Sequence, residues 1–120
     1  MQYMLLIYGD EAGWNARTDD ELQTLNQGYE GLTRDLRAAE KLAGANELQP
    51  VGTATTIRVR NGDAIVSDGP FAETKEVLGG YYLIESESLD EALQWAERIP
   101  DARTGTVEIR PVVDHSGSGS

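Results

Sequence analysis

An α+β domain of ferredoxin-like type is the fold this chain predicts, on three observations. Residues 2–8 and 80–85 are strand-like runs with apolar side chains on both faces, and each is followed by an amphipathic helical stripe opened by a capping sequence. An Asn61-Gly62 pair centres a hairpin between the two halves. The order is β-α-β, an inserted hairpin, then β-α-β, and two such halves make one sheet with both helices on one face. The other face then needs a cover, which a second subunit supplies by closing a homodimeric α+β barrel.

In the first strand Tyr3, Leu5 and Ile7 alternate with Met4, Leu6 and Tyr8. A strand apolar on both sides has to be covered on both sides. The longest helical pattern runs over 18–42, where Leu22, Leu25, Tyr29, Leu32, Leu36 and Ala39 form one stripe. Thr18 and Glu21 make a capping box, with Asp19 and Asp20 at the positive end of the helix dipole. Gly28 and Gly31 weaken the helix and are read as close packing on the sheet. A short strand is expected at Glu47-Leu48-Gln49, stopped by Pro50.

The hairpin register follows from its turn. A type I′ turn at Asn61-Gly62 pairs Arg60 with Asp63, Val59 with Ala64, Ile57 with Val66 and Thr55 with Asp68. After the strand at Gly80–Glu85, Ser88 and Glu91 make a second capping box that opens a helix whose stripe is Leu89, Ala92, Leu93, Ala96 and Ile99, ended by Pro100. The last strand is expected over Thr106–Val113, with Pro111 marking an edge or a bulge. The open sheet face is expected to carry Leu5 and Tyr81 or their neighbours. The domain is assigned to residues 1–114. Residues 115–120, a Gly/Ser-rich tail, are read as linker outside the fold.

Composition narrows the function. With 21 acidic against 10 basic residues the net charge is −11, and no run of Lys/Arg interrupts it. Nucleic-acid and membrane-surface binding are therefore disfavoured. There is no Cys, hence no thiolate chemistry, and one His with scattered acids gives no metal-ligand spacing. Gly79-Gly80 precedes a strand rather than a helix, so it is no phosphate loop. No metal or cofactor is expected. The opening apolar run is too short for a membrane span and lacks the flanks of a signal peptide, so a cytoplasmic location is expected.

The stretch Asp68-Gly69-Pro70-Phe71-Ala72-Glu73-Thr74-Lys75-Glu76, continuing into Val77-Leu78-Gly79-Gly80-Tyr81-Tyr82, resembles the signature of the DGPF branch of the YCII-related family. The likeness extends to Tyr3–Glu11, to Leu48-Gln49-Pro50 with Thr53-Ala54-Thr55-Thr56, and to Gly105–Val112. It implies a small bacterial domain built as a dimeric α+β barrel, in a branch mostly without assigned reactions. An association with extracytoplasmic-function sigma factors is implied as well. Family members with a proposed chemistry resemble a lyase-type site with a His-Asp pair, the His near the start of the first helix. Here that region reads Asp19-Asp20-Glu21-Leu22, and the one imidazole is His115. Proton transfer in this chain therefore needs carboxylates.

The candidate catalytic residues are Asp68, Asp10 and Lys75. Asp68 precedes Gly-Pro at a strand end, where it is an Asx-turn acceptor or a buried base. Asp10 follows the first strand at its carboxyl end, where ligands often sit. If the two converge and burial raises one pKa, they form an acid/base pair. Lys75 is a solvated loop charge, an anion ligand or a nucleophile, and Glu73, Lys75 and Glu76 can pair locally. The candidate ligand contacts are Trp14, Phe71, Glu73, Tyr81 and Arg110. Phe71, the sole Phe, is read as the anchor of the signature loop in the core. Trp14 covers a pocket or a dimer seam. Arg110, like Arg58, is an arginine on a strand that suits an acid across the dimer or an anionic ligand.

A homodimeric small-molecule-binding module of regulatory character is the first expectation. A lyase- or isomerase-type enzyme using carboxylates is the alternative, and an interaction protein for a sigma factor the third.

Overall fold

The computed structural model describes residues 1–116, so the Ser/Gly end of the expected linker lies outside the described residues. Six strands and three α-helices follow in order: β1 Gln2–Gly9, α1 Glu11–Asn15, α2 Asp19–Ala38, β2 Leu42–Glu47, β3 Thr55–Arg60, β4 Asp63–Asp68, β5 Val77–Glu85, α3 Leu89–Glu97 and β6 Thr106–Pro111. Short 3-10 turns cover Val51–Thr53 and Pro100–Arg103. The fold is mixed α+β, with one four-stranded sheet in the order β2-β5-β1-β6 and a separate two-stranded sheet of β3 and β4. Every strand pair is antiparallel.

The alternation in β1 sorts its side chains. Tyr3, Leu5 and Ile7 are buried beneath the helices, while Met4, Leu6 and Tyr8 are half-buried on the opposite face. Leu5, 1% exposed, therefore belongs to the covered core and not to the open face. In register with Met4 and Leu6 lie Leu83 and Tyr81 of β5, so the open face does carry Tyr81. The core joins Leu5, Ile7, Tyr82 and Ile84 to Leu32 and Leu36 of α2, Ala92 and Ala96 of α3, and Ile99. Leu89 and Leu93, expected in the α3 stripe, are half exposed.

Thr18 caps α2 with the full reciprocal box. Ser88 accepts from the Glu91 N–H at 3.1 Å, but the Glu91 carboxylate accepts from the Glu87 N–H and the Ser86 hydroxyl and pairs with Lys41, so the box is not reciprocal. Helix α2 stops at Ala38 because Glu40 takes a left-handed conformation (φ 59°), and β2 begins at once. The second strand is thus Leu42–Glu47 rather than Glu47–Gln49, and Leu48, Gln49 and Pro50 lie beyond it. Gly28 faces Pro100 instead of the sheet, since a Cβ there would sit 2.8 Å from Pro100 Cγ. The last strand ends at Pro111, leaving Val113 70% exposed.

The hairpin has the expected register in full. It stands apart from the larger sheet, however, as an exposed arm. Phe71 beyond its root is 79% exposed, so the signature loop is not pinned in the core. Its middle lies on the surface, with Thr74 Oγ1 donating to the Glu76 carbonyl at 2.7 Å, and hydroxyl contacts tie its two ends, Thr56 Oγ1 to the Gly69 carbonyl and Thr106 Oγ1 to the Glu76 carboxylate. No helix among the described residues is long and apolar enough to cross a membrane.

Candidate functional site

A cavity of about 500 Å³ opens between the first half of α2 and the β2 edge of the sheet. Leu22, Leu25, Asn26 and Tyr29 of α2 form one wall, and Ile7, Gly80 and Tyr82 form the floor. The segment from Ala45 to Pro50 makes the far rim, and α1 closes the end with Glu11, Trp14 and Asn15.

Trp14 is held by missing side chains. A Cβ on Gly9 would lie 2.4 Å from indole Cζ2, and one on Gly79 would lie 2.6 Å from Cη2. Gly79 is also the extra residue of a β-bulge, for Ile7 faces Gly80 while Tyr8 faces Leu78. Bulges re-aim strands beside sites, and this one opens a slot into which the indole lies flat against two strands. Gly80 has a similar role, since a Cβ there would meet the Asn46 carbonyl at 2.8 Å. Asp10 positions α1 by accepting from the Ala12 N–H at 3.0 Å. The Glu11 carboxylate accepts from the Val51 N–H at 2.9 Å, tying α1 to the segment after Pro50.

At the inner end, three residues far apart in sequence form a polar cluster. Asp101, 7% exposed, takes Arg17 Nη2 on Oδ1 at 2.5 Å and the Tyr29 hydroxyl on Oδ2. Burial, and then the hydrogen bond to Asp101, push the Tyr29 phenol well above the usual tyrosine range. Tyr29 therefore stays protonated and donates. Its ring stacks on Tyr82 at 6.4 Å between centroids and 13° between planes, and Tyr82 in turn shares a 2.8 Å hydrogen bond with Thr33. The cluster sets one carboxylate against one guanidinium and one phenol at the edge of an aromatic wall. It can orient a polar group of a ligand or pass a proton through Asp101.

Of the residues picked from sequence, Trp14 and Tyr81 line the cavity, and Tyr81 OH accepts from Asn46 Nδ2 at 2.7 Å. Asp10 stands beside it as the α1 cap. Asp68 closes the root of the exposed arm opposite Thr55, and Phe71, Glu73 and Lys75 lie on the exposed loop beyond it; none of these lines the cavity. Among the described residues no ion pair joins Glu73, Lys75 and Glu76; Glu76 accepts from Thr106 Oγ1 at 2.8 Å. Arg110 pairs with Glu108 on its own strand at 2.9 Å. Arg17, Tyr29 and Asp101 were missed. Tyr29 sits in the helical stripe and reads as core, while Arg17 and Asp101 meet across 84 residues of sequence with no local pattern to announce it. No group of three or more His, Asp or Glu among the described residues is placed to hold a metal ion.

The YCII-related domain model matches residues 1–116. A protein of Rhizobium meliloti (strain 1021), described as uncharacterised, is 41% identical over 114 residues, which span 93% of this chain and 92% of that protein.

Proposed function

This chain belongs to the YCII-related domain family, and from that premise and its cavity we propose that it is a homodimeric small-molecule-binding module of regulatory character. The observation that carries the reading is the built cavity of about 500 Å³, within the range that holds a small ligand. Trp14, Tyr29 and Tyr82 supply flat apolar walls, and Arg17, Asn15, Asn26 and Gln49 supply hydrogen-bonding groups. Asp101 pairs with Arg17 and Glu11 and Glu47 add two more acidic side chains to the lining, so the cavity suits an uncharged or cationic ring compound with one or two polar substituents and disfavours an anion. The strand order β2-β5-β1-β6 supports a ferredoxin-like sheet, and two copies sharing their open faces would give the dimeric α+β barrel of the DGPF branch. The net charge of −11 favours a basic protein such as a sigma factor as the downstream partner.

A thermal-shift screen of a metabolite panel tests the site. A ligand at one hundred times its Kd stabilises by about 2.7 kcal/mol, and Trp14→Ala should abolish the shift. A ligand held equally well by Trp14→Ala would remove the cavity from the function.

A second reading, a lyase- or isomerase-type enzyme, is favoured by the Asp101–Tyr29 pair, which places a carboxylate and a protonated phenol at the cavity wall. Asp68, Asp10 and Lys75 belong to this reading as acid/base and nucleophile candidates outside the wall. Loss of turnover in Asp101→Asn with retention in Asp68→Asn would assign the chemistry to the cavity, and the reverse result would assign it to the signature loop.

A further inference from the structure

We propose that the cavity between α2 and the β2 edge takes an organic cation, a protonated amine carried on a flat apolar ring, with the Glu47 carboxylate as its anchor and Glu11 as a second acceptor. This rests on the reading of the cavity as a ligand site and narrows that reading to one charge class. The cavity itself makes the site, about 500 Å³ of space bounded by Trp14, Tyr29 and Tyr82. The acids decide what the space prefers.

Strand register places Glu47. It pairs with Gly80, which is also the partner of Ile7 in β1, while Ala45 pairs with Tyr82. Residues directly opposite each other on antiparallel strands share a face. Glu47 therefore stands on the helix-covered side of the sheet with Ile7 and Tyr82, and Asn46, opposite Tyr81, stands on the other side. Because Gly80 has no side chain, the floor next to the Glu47 position is left open. Glu47 is exposed, and among the described residues its carboxylate makes no hydrogen bond or ion pair. Glu11 accepts from the Val51 N–H with one oxygen, at 2.9 Å, and among the described residues its other oxygen is unengaged.

The remaining two charges of the lining balance each other. Asp101 gives Oδ1 to Arg17 and Oδ2 to the Tyr29 hydroxyl, so both of its oxygens are occupied and the guanidinium is matched within the protein. What is left over is Glu11 and Glu47, which repel an anion and favour a cation over an uncharged analogue. The surrounding chain has the same sign. Over residues 1–33 Arg17 is the one basic side chain, against Asp10, Glu11, Asp19, Asp20, Glu21 and Glu30. Three of these acids occupy the first turn of α2, where they offset the positive end of that helix. The stretch 42–57, which carries the far rim, has no Lys or Arg. A cleft lined by one sign of charge concentrates ions of the other. The aromatic walls act in the same direction, since the faces of Trp and Tyr attract a cation through the ring quadrupole.

Isothermal titration of the full chain at about pH 7 with tryptamine, tryptophol and indole-3-acetate compares one ring in cationic, neutral and anionic form. Tryptamine should bind about tenfold or more tightly than tryptophol, and indole-3-acetate more weakly than either. Raising the ionic strength from about 0.05 to about 0.5 M should weaken tryptamine and leave tryptophol unchanged. Glu47→Gln should erase the advantage of tryptamine over tryptophol. Glu97→Gln, at an exposed acid of α3 outside the cavity lining, removes the same charge and should keep that advantage. Tryptophol or indole-3-acetate bound by wild type as tightly as tryptamine overturns the cation assignment and leaves the cavity as a ligand site. An advantage that survives Glu47→Gln overturns the anchor. Binding of all three unchanged in Trp14→Ala, or of none at millimolar concentration, overturns the ligand-site reading itself.

Discussion

Adding one methyl group at Gly79 should unseat Trp14, and the cost can be worked from the geometry. The new Cβ would stand 2.6, 3.1 and 3.4 Å from three carbons of the indole. Carbon–carbon contact is comfortable at about 3.5–4.0 Å, so the ring edge must retreat by roughly 1 Å. Gly9 limits retreat on the β1 side, because the indole lies so close against its backbone that a Cβ there would stand 2.4 Å away. The ring must tilt away from the sheet with the short helix α1. Overpacking of this kind costs about 1–3 kcal/mol, and the half-buried indole places Gly79→Ala near 1–2 kcal/mol. The measurement is a double-mutant cycle by denaturant unfolding, with Trp14→Ala as the second change. In that background the steric cost vanishes, and Gly79→Ala should become neutral or stabilising by up to about 1 kcal/mol through the unfolded chain. The cycle should therefore report a coupling of about 1–3 kcal/mol. An equal penalty in both backgrounds would refute the claim that Gly79 exists to seat the indole.

Two further predictions concern the polar cluster. Asp101→Asn removes the partner of a guanidinium whose side chain is 17% exposed; breaking such a pair should cost about 3 kcal/mol and lower Tm by about 10 °C. A loss under about 1 kcal/mol would mean the pair behaves as a surface one. The raised Tyr29 phenol gives a pH dependence of fixed sign. Above the unfolded tyrosine pKa of about 10 the unfolded chain sheds this proton while the folded chain keeps it, so stability is full below that pH and falls above it by up to about 1.4 kcal/mol per pH unit. Tyr29→Phe should flatten that part of the alkaline slope, and an unchanged slope would show that Tyr29 ionises freely in the fold.

What was legible in the sequence is what local periodicity encodes. Alternation in β1, the α2 stripe from Leu25 to Leu36, both N-cap residues and the Asn61-Gly62 register are short-range patterns, and the structure has each of them, while Leu22 at the start of the stripe is 40% exposed. The misplaced β2 shows the limit. The helix stops at Ala38 ahead of Glu40, a left-handed residue that is not glycine, and Leu42 continues the helical stripe, so no stop signal is written there. Strand β2 itself, Leu-Ala-Gly-Ala-Asn-Glu, is an edge strand of small residues with a second irregularity between Leu42 and Gly44. Phe71 failed for a different reason. Apolarity announces that a side chain seeks cover, and says nothing of whether its own chain provides it.

The candidate site belongs almost wholly to the illegible part, and its glycines explain why. At Gly9, Gly79 and Gly80 the informative fact is a neighbour too close for a Cβ, an indole in two cases and the Asn46 carbonyl in the third. In sequence those residues register only as weak points of strands, because a void has no periodicity. Asp101 is subject to the same rule: Pro100 packs against Gly28, which brings the turn onto α2 and the carboxylate to Arg17 and Tyr29. The catalytic candidates taken from the signature loop were chosen for their chemistry, whereas the cavity is defined by where backbones approach. It follows that alanine at any of these glycines should disturb the cavity more than removal of any single charged side chain on the loop. That ordering separates a site built by backbone proximity from one built by the signature's charges.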